Sequence, residues 1–144
     1  MIALVVDDSR AMRRIVGGVL RRAGMDVLEA GDGQEALDVL DRHLAEGGAV
    51  PDLACVDWNM PVMDGLELVM TVRRRRELRP MALMMVTSES EQSQVVRALA
   101  AGAHEYLFKP FTPDALLAKL ELLGLSPEPA GAAAPASAGG ASWS

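Results

Sequence analysis

The feature of this sequence that most constrains its fold is an alternation of five short apolar runs with five stretches of helical periodicity. Residues 2–6, 27–30, 53–56, 82–86 and 106–108 read as strands. The first, third and fourth are continuously apolar, as expected where helices cover both faces of a sheet. The second and fifth are short and flanked by Asp26, Glu29 and Glu105, which suits sheet edges. Between the runs, apolar stripes recur at helical spacing: Met12, Ile15, Val16, Val19 and Leu20, then Ala36, Leu37, Leu40 and Leu44. Leu66, Val69 and Met70 mark a third helix, Val95, Val96 and Leu99 a fourth, and Leu116, Leu117, Leu120 and Leu123 a fifth. Thr112 as N-cap, Pro113 at the first helical position and Asp114 in the first turn start the last helix, and Gly124 stops it. Gly17 and Gly18 lie inside the first helix at about 1 kcal/mol each relative to alanine, and close packing is the only reason the sequence offers for them. The alternation predicts an α/β fold of the (βα)₅ kind, a doubly wound five-stranded parallel sheet with right-handed crossovers.

At 144 residues the chain has room for one core. Its composition changes after Leu125. Residues 126–144 are rich in Ala, Gly, Pro and Ser, with Trp143 the one large apolar side chain. Such a stretch buries too little surface to offset its ordering entropy. The expectation is a folded domain over residues 1–125 and a disordered tail over 126–144, whose last residues equally fit an added expression segment. A net charge of −6 makes nucleic acid an unpromising partner, and 3% aromatic residues argue against stacking platforms. A lone cysteine, Cys55, rules out an internal disulfide and suits a reducing compartment. Ile2–Val6 is too short for a secretory leader, and no apolar run approaches the roughly 20 residues of a membrane span. The chain is expected to be cytoplasmic, with no membrane association.

Certain polar residues fall where the apolar runs stop. Asp7 and Asp8 follow the first strand, and Asp57, Thr87 and Lys109 close the third, fourth and fifth. Open α/β sheets bind ligands beyond the carboxyl ends of their strands. Three carboxylates, a hydroxyl and an ammonium therefore converge on one rim. Three neighbouring acids repel unless a cation joins them, and an oxygen-only donor set favours Mg²⁺ over Zn²⁺. A carboxylate beside Mg²⁺, faced by a lysine and a hydroxyl donor, suits phosphoryl transfer with the carboxylate as nucleophile. Taken singly, each residue has a plainer explanation: Asp7-Asp8 as a turn and helix cap, Thr87 as a strand end, Lys109 as a surface lysine. Asp57 resists one, because an acid ending a buried strand is costly unless paired or metal-bound.

At these residues the chain resembles the receiver domains of two-component response regulators. The segments that carry the resemblance are Val6-Asp7-Asp8-Ser9, Val56-Asp57-Trp58-Asn59-Met60-Pro61-Val62-Met63-Asp64-Gly65, Thr87-Ser88-Glu89 and Phe108-Lys109-Pro110-Phe111. It covers about residues 1–124 and is nearest the stand-alone chemotaxis receivers of the CheY type. The resemblance implies a flavodoxin-like fold with strand order 2-1-3-4-5. It also implies Asp57 as phosphoacceptor, and Asp8, Asp57 and the Asn59 carbonyl as Mg²⁺ ligands with Asp7 acting through water. Lys109 and Thr87 would contact the phosphoryl group, and Tyr106 would be an aromatic switch that follows Thr87. The peptide bond between Lys109 and Pro110 would be cis. Ser90, Gln92, Phe108 and Lys119 match positions on the family's output face.

The function implied is a response regulator that takes a phosphoryl group from a histidine kinase or phosphotransfer domain and switches its binding to a downstream effector. A phosphatase is a possible further partner, and catalysis is limited to the domain's own phosphorylation and dephosphorylation. A phosphate sink or relay carrier without an effector is the alternative. A haloacid-type aspartyl-phosphate hydrolase would need Asp-x-Asp after the first strand, where this chain has Asp7-Asp8. DNA-binding output is disfavoured, because nothing after residue 125 is expected to fold. Phe108 is larger than the aliphatic residue many relatives carry and reads as packing between the fourth and fifth helices, or as a partner contact. Arg73–Arg76 reads as a solvated helix end suited to the helix dipole, or as a patch for an acidic partner or a nucleotide. No role is assigned to His43 or His104.

Overall fold

The computed structural model describes residues 1–88, 90 and 92–125. The expected tail over 126–144, together with Glu89 and Glu91, lies outside the described residues. In chain order the elements are β1 (Ile2–Val6), α1 (Arg10–Arg22), β2 (Asp26–Ala30), α2 (Gly33–Ala45), β3 (Leu53–Val56), α3 (Gly65–Arg74), β4 (Ala82–Ser88), α4 (Gln92–Ala101), β5 (Glu105–Lys109) and α5 (Pro113–Leu122). A 3₁₀ turn over Arg76–Leu78 leads from α3 towards β4. The strands form one parallel sheet in the order β2-β1-β3-β4-β5, as the resemblance implied.

Strand alternation divides the core in two. Ala3, Val5, Leu53, Cys55, Met84, Val86 and Leu107 face α1 and α5, where they meet Val16, Val19, Leu20, Leu116 and Leu120. Leu4, Val6, Ala54, Val56, Leu83 and Met85 face the other way, onto Ala36, Leu37 and Leu40 of α2, Leu68, Val69 and Val72 of α3, and Ala98 of α4. Burial on both sides explains why the three central strands read as unbroken apolar runs. Thr112 accepts the N–H of Ala115 and caps α5, with Pro113 opening the helix and Gly124 following it in the left-handed conformation.

Several stripe residues face out instead of in. Ile15, Met70, Val96 and Leu99 are exposed. In α3 the cause is Gly65, which packs so tightly on the Asp57 carbonyl that a Cβ there has no room. That contact fixes the rotation of the helix, and residues three, four and seven positions on (Leu68, Val69 and Val72) face the sheet. Met70 is thereby turned to solvent. Gly17 answers the packing expectation: it is buried, and a Cβ would stand 3.5 Å from a methyl carbon of Val27 and 3.3 Å from the Arg21 guanidinium.

Arg73–Arg76 is not simply a solvated helix end. Arg73 donates to the carbonyls of Arg79 (2.9 Å), Met81 (2.8 Å) and Gly102 (3.0 Å). Arg75 pairs with Asp41 at 2.7 Å and Glu77 at 2.9 Å. His104 receives a bond from Arg73 at 3.3 Å, and its Nδ1 accepts the N–H of Leu83 at 3.0 Å. The main-chain N–H of His104 donates to the carbonyl of Leu83 at 2.8 Å, so one residue meets both backbone groups at the start of β4. Burial and the neighbouring Arg73 hold the His104 imidazole below its usual pKa, in keeping with an acceptor nitrogen. His43 bonds the carbonyl of Ala49 at 2.7 Å and closes the turn after α2.

Candidate functional site

The sheet ladder places the acids. The N–H of Asp7 donates to the Ala30 carbonyl at 3.1 Å, and that of Asp57 to the Val6 carbonyl at 2.9 Å. Both backbones thus continue β1 and β3 by one residue and stop at the same level. The helix cap of α1 belongs to Ser9, whose hydroxyl accepts the N–H of Met12 at 3.2 Å. The plainer reading of Asp7-Asp8 as a helix cap therefore does not hold. Asp7 Oδ1 instead accepts the Ser9 N–H at 2.9 Å, while Asp8 is exposed.

Carboxylate oxygens of Asp7, Asp8 and Asp57 all lie within 4.8 Å of one another. Lys109 reaches in from the last rung of β5, with its ammonium 2.8 Å from Asp7 and 3.6 Å from Asp57. Asp57 is 8% exposed, and its Oδ1 accepts the Trp58 N–H at 2.9 Å. Burial pushes the Asp57 carboxyl up to about 6; Lys109 and the Trp58 N–H pull it down, while Asp7 and Asp8 push it further up. One ammonium does not neutralise three acids. The donors are all oxygen, and the fit is to a hard divalent cation such as Mg²⁺.

Thr87 occupies the penultimate rung of β4, opposite Phe108, and does not end the strand. It is 1% exposed, and its hydroxyl has no hydrogen-bond partner among the described residues. Leaving a buried hydroxyl unpaired costs about 1–3 kcal/mol. A group entering the pocket with acceptor oxygens would remove that penalty. Asn59 is exposed in the loop after β3, two residues beyond Asp57. Trp58 is buried and belongs to the core on the α2 and α3 side of the sheet. The Lys109–Pro110 peptide is cis.

Val62 was not singled out by its sequence. It is 80% exposed, has φ +67°, and sits at the centre of a three-residue turn closed by Met63 N–H to the Pro61 carbonyl at 2.7 Å. A β-branched residue in the left-handed region is strained, and this one lies in the loop joining Asp57 to α3. Sequence carries no cue for it, because valine is among the residues least suited to that conformation.

On the expected output face, Ser90 and Gln92 are exposed at the start of α4. Tyr106 and Phe108 share one face of β5, with ring centroids 5.2 Å apart at 50°, so Phe108 packs on the tyrosine. Lys119 reaches from α5 to Glu105 at 2.8 Å and lies 4.4 Å from the centroid of the Tyr106 ring.

The model of the response regulator receiver domain family matches residues 3–121. A chemotaxis protein CheY homolog of Campylobacter jejuni is 47% identical over 122 residues, covering 84% of this chain and 90% of that protein. Chemotaxis protein CheY1 of Helicobacter pylori is 44% identical over 124 residues, covering 85% of this chain and 96% of its own length. Among solved structures, Vibrio cholerae CheY4 superposes with a TM-score of 0.74 at 36% identity, covering 85% of this chain and 97% of the other. A match across almost the whole described region, with the acids and Lys109 brought to one rim, makes this chain a member of the response regulator receiver family.

Proposed function

We propose that this receiver takes a phosphoryl group from the phosphohistidine of a kinase or phosphotransfer domain onto Asp57, and that the modified domain switches a downstream protein in chemotaxis-type signalling. The observation that carries the reading is the convergence of Asp7, Asp8 and Asp57 within 4.8 Å, with Lys109 on Asp7 and an unpaired Thr87 hydroxyl in the same rim. An Asp57 carboxylate oxygen attacks phosphorus as the bond to the donor's imidazole nitrogen breaks, and the nitrogen keeps that electron pair. Asp8, Asp57 and the Asn59 carbonyl would hold Mg²⁺, with Asp7 acting through water. When bound, the ion supplies neutralisation of charge on the phosphoryl oxygens. Lys109 stabilises charge developing on those oxygens, and the Thr87 hydroxyl donates to one of them. Hydrolysis of the acyl phosphate, unaided or assisted by a phosphatase, resets the domain. A cytoplasmic setting agrees with the single buried thiol and with the lack, among the described residues, of a helix long and apolar enough to cross a membrane.

The signal would leave through α4, β5 and α5, because Thr87 and Tyr106 lie on neighbouring strands and Ser90, Gln92, Phe108 and Lys119 border them. A phosphoryl group that draws Thr87 and Lys109 inward lets Tyr106 follow. An effector should bind the phosphorylated form more tightly by about 1–3 kcal/mol. Tyr106→Ala should reduce that coupling while leaving phosphate uptake nearly intact, which titration calorimetry on both forms will measure. If affinity capture with a stable phosphoryl mimic retrieves only kinases and phosphotransfer domains, the domain is a phosphate sink.

Metal binding has its own readout. Trp58 shares a peptide bond with Asp57 and its N–H bonds that carboxylate, so Mg²⁺ should change its fluorescence. Asp8→Ala should remove the response. The titration is best made on a chain ending at Leu125, which lacks Trp143. A metal-dependent phosphorylation with a silent Trp58 would show that the indole does not sense the pocket.

A further inference from the structure

Lys119 matches a position on the family's output face, yet its side chain is only 23% exposed and is engaged twice. Its ammonium is 2.8 Å from Glu105 Oε1 and 4.4 Å from the centroid of the Tyr106 ring. The same Glu105 oxygen accepts the Tyr106 main-chain N–H at 3.0 Å. One carboxylate oxygen thus fixes both the ammonium beside the ring and the backbone that carries the ring. Burial pushes the Glu105 carboxyl up, but the Lys119 hydrogen bond and the Tyr106 N–H outweigh it and hold the group below its usual range. The pair joins a carboxylate on β5 to an ammonium on α5, across 14 residues of chain.

The physical consequence concerns the ring. An ammonium is drawn to the negative face of an aromatic ring, more strongly as water is excluded. Lysine is otherwise a flexible and strongly hydrated cation that prefers to turn outward. Glu105 is what keeps it in place. Phe108 supplies the ring's other described aromatic contact and carries no charge to anchor it.

We propose that Glu105 is a positioning residue: through Lys119 it holds the Tyr106 ring in its resting arrangement, and so sets how much of the switched conformation exists before phosphorylation. The inference rests on the reading of Tyr106 as the switch. Removing the carboxylate weakens the lysine's hold on the ring, and the equilibrium shifts by the difference in that hold between the two arrangements.

Tyr106 is the one tyrosine in the chain, so fluorotyrosine labelling gives a single site for fluorine NMR. In the parent protein, Mg²⁺ with beryllium fluoride should move this resonance to an activated position. In Glu105→Gln without beryllium fluoride, the population at the activated position should rise about threefold to tenfold over the parent. Lys119→Met, which keeps the apolar stem, should do the same. The final stoichiometry of phosphate uptake by Glu105→Gln should equal that of the parent, because Glu105 lies outside the pocket and the nucleophile is untouched. A parent resonance indifferent to beryllium fluoride would sink the switch reading of Tyr106 itself. A parent that responds, with both variants keeping the resting population, would overturn the role of Glu105 and leave a simple ion pair.

Discussion

Incubated with Mg²⁺ and an excess of a small acyl phosphate, the protein is expected to gain the mass of one phosphoryl group, and Asp57→Asn to gain none. The domain supplies its own catalysis: a nucleophile buried beside two further acids, an ammonium 3.6 Å away and a waiting hydroxyl. Asparagine keeps the shape of Asp57 but has no anionic oxygen to attack phosphorus, so the loss should be complete. Lys109→Ala should slow uptake without abolishing it, because the nucleophile remains. Intact-mass spectrometry reads all three proteins. An Asp57→Asn protein that labels as fully as the parent would place the nucleophile on another residue.

The same substitution should make the metal-free protein more stable at pH 7. Asp57 has its carboxyl pushed up to about 6 from 3.8, chiefly by burial, so the folded state binds its proton more tightly than the unfolded chain does. Stability contributed by that proton is present at low pH and falls as pH rises from about 4 to about 6. Above pH 6 the folded protein carries the full penalty of a buried, crowded carboxylate. Each pKa unit corresponds to about 1.4 kcal/mol, and partial access of water reduces the whole to about 1–2 kcal/mol. The amide that replaces the carboxyl cannot ionise and escapes the penalty. Asp57→Asn should therefore melt several degrees higher than the parent at pH 7 without metal, and the gap should close below pH 4. Saturating Mg²⁺ should reverse the order, since an ion that binds only the folded parent stabilises it by about 2.7 kcal/mol at 100 times its dissociation constant. Equal melting temperatures at pH 7 would mean that water or Lys109 already relieves the strain.

The positions behind these expectations were legible in the sequence because the rim is made of strand ends. Where an apolar run stops is legible, and Asp7, Asp57 and Lys109 stand where β1, β3 and β5 stop. Thr112, Pro113 and Gly124 were equally legible, since caps are local chemistry. What could not be read depends on contacts distant along the chain. The outward face of Met70 follows from Gly65 meeting the Asp57 carbonyl, and no periodicity in α3 records that meeting. Glu105 read as a charge flanking an edge strand, because its partner Lys119 lies on the next helix. Arg73 looked like one of four equivalent arginines until the turns before β4 and β5 offered their carbonyls to it. Val62 opposes every local preference, and such residues are found only by building the backbone.

The Arg73–His104 lattice gives the sheet two ends of opposite temperament. At the amino ends of β4 and β5, the Leu83 N–H and carbonyl, the Met81 carbonyl and the Gly102 carbonyl all have partners, and one guanidinium ties the turns before the two strands together. At the carboxyl ends of the same strands, charge is crowded and a buried hydroxyl is left wanting. Random substitution should feel this polarity. Changes around Arg73 should lower yield and melting temperature and leave the signal's character alone. Changes around Thr87 should be tolerated by the fold, or even strengthen it, while altering what the domain says. A screen for solubility and a screen for signalling, run on one library, should therefore enrich for opposite ends of the same two strands.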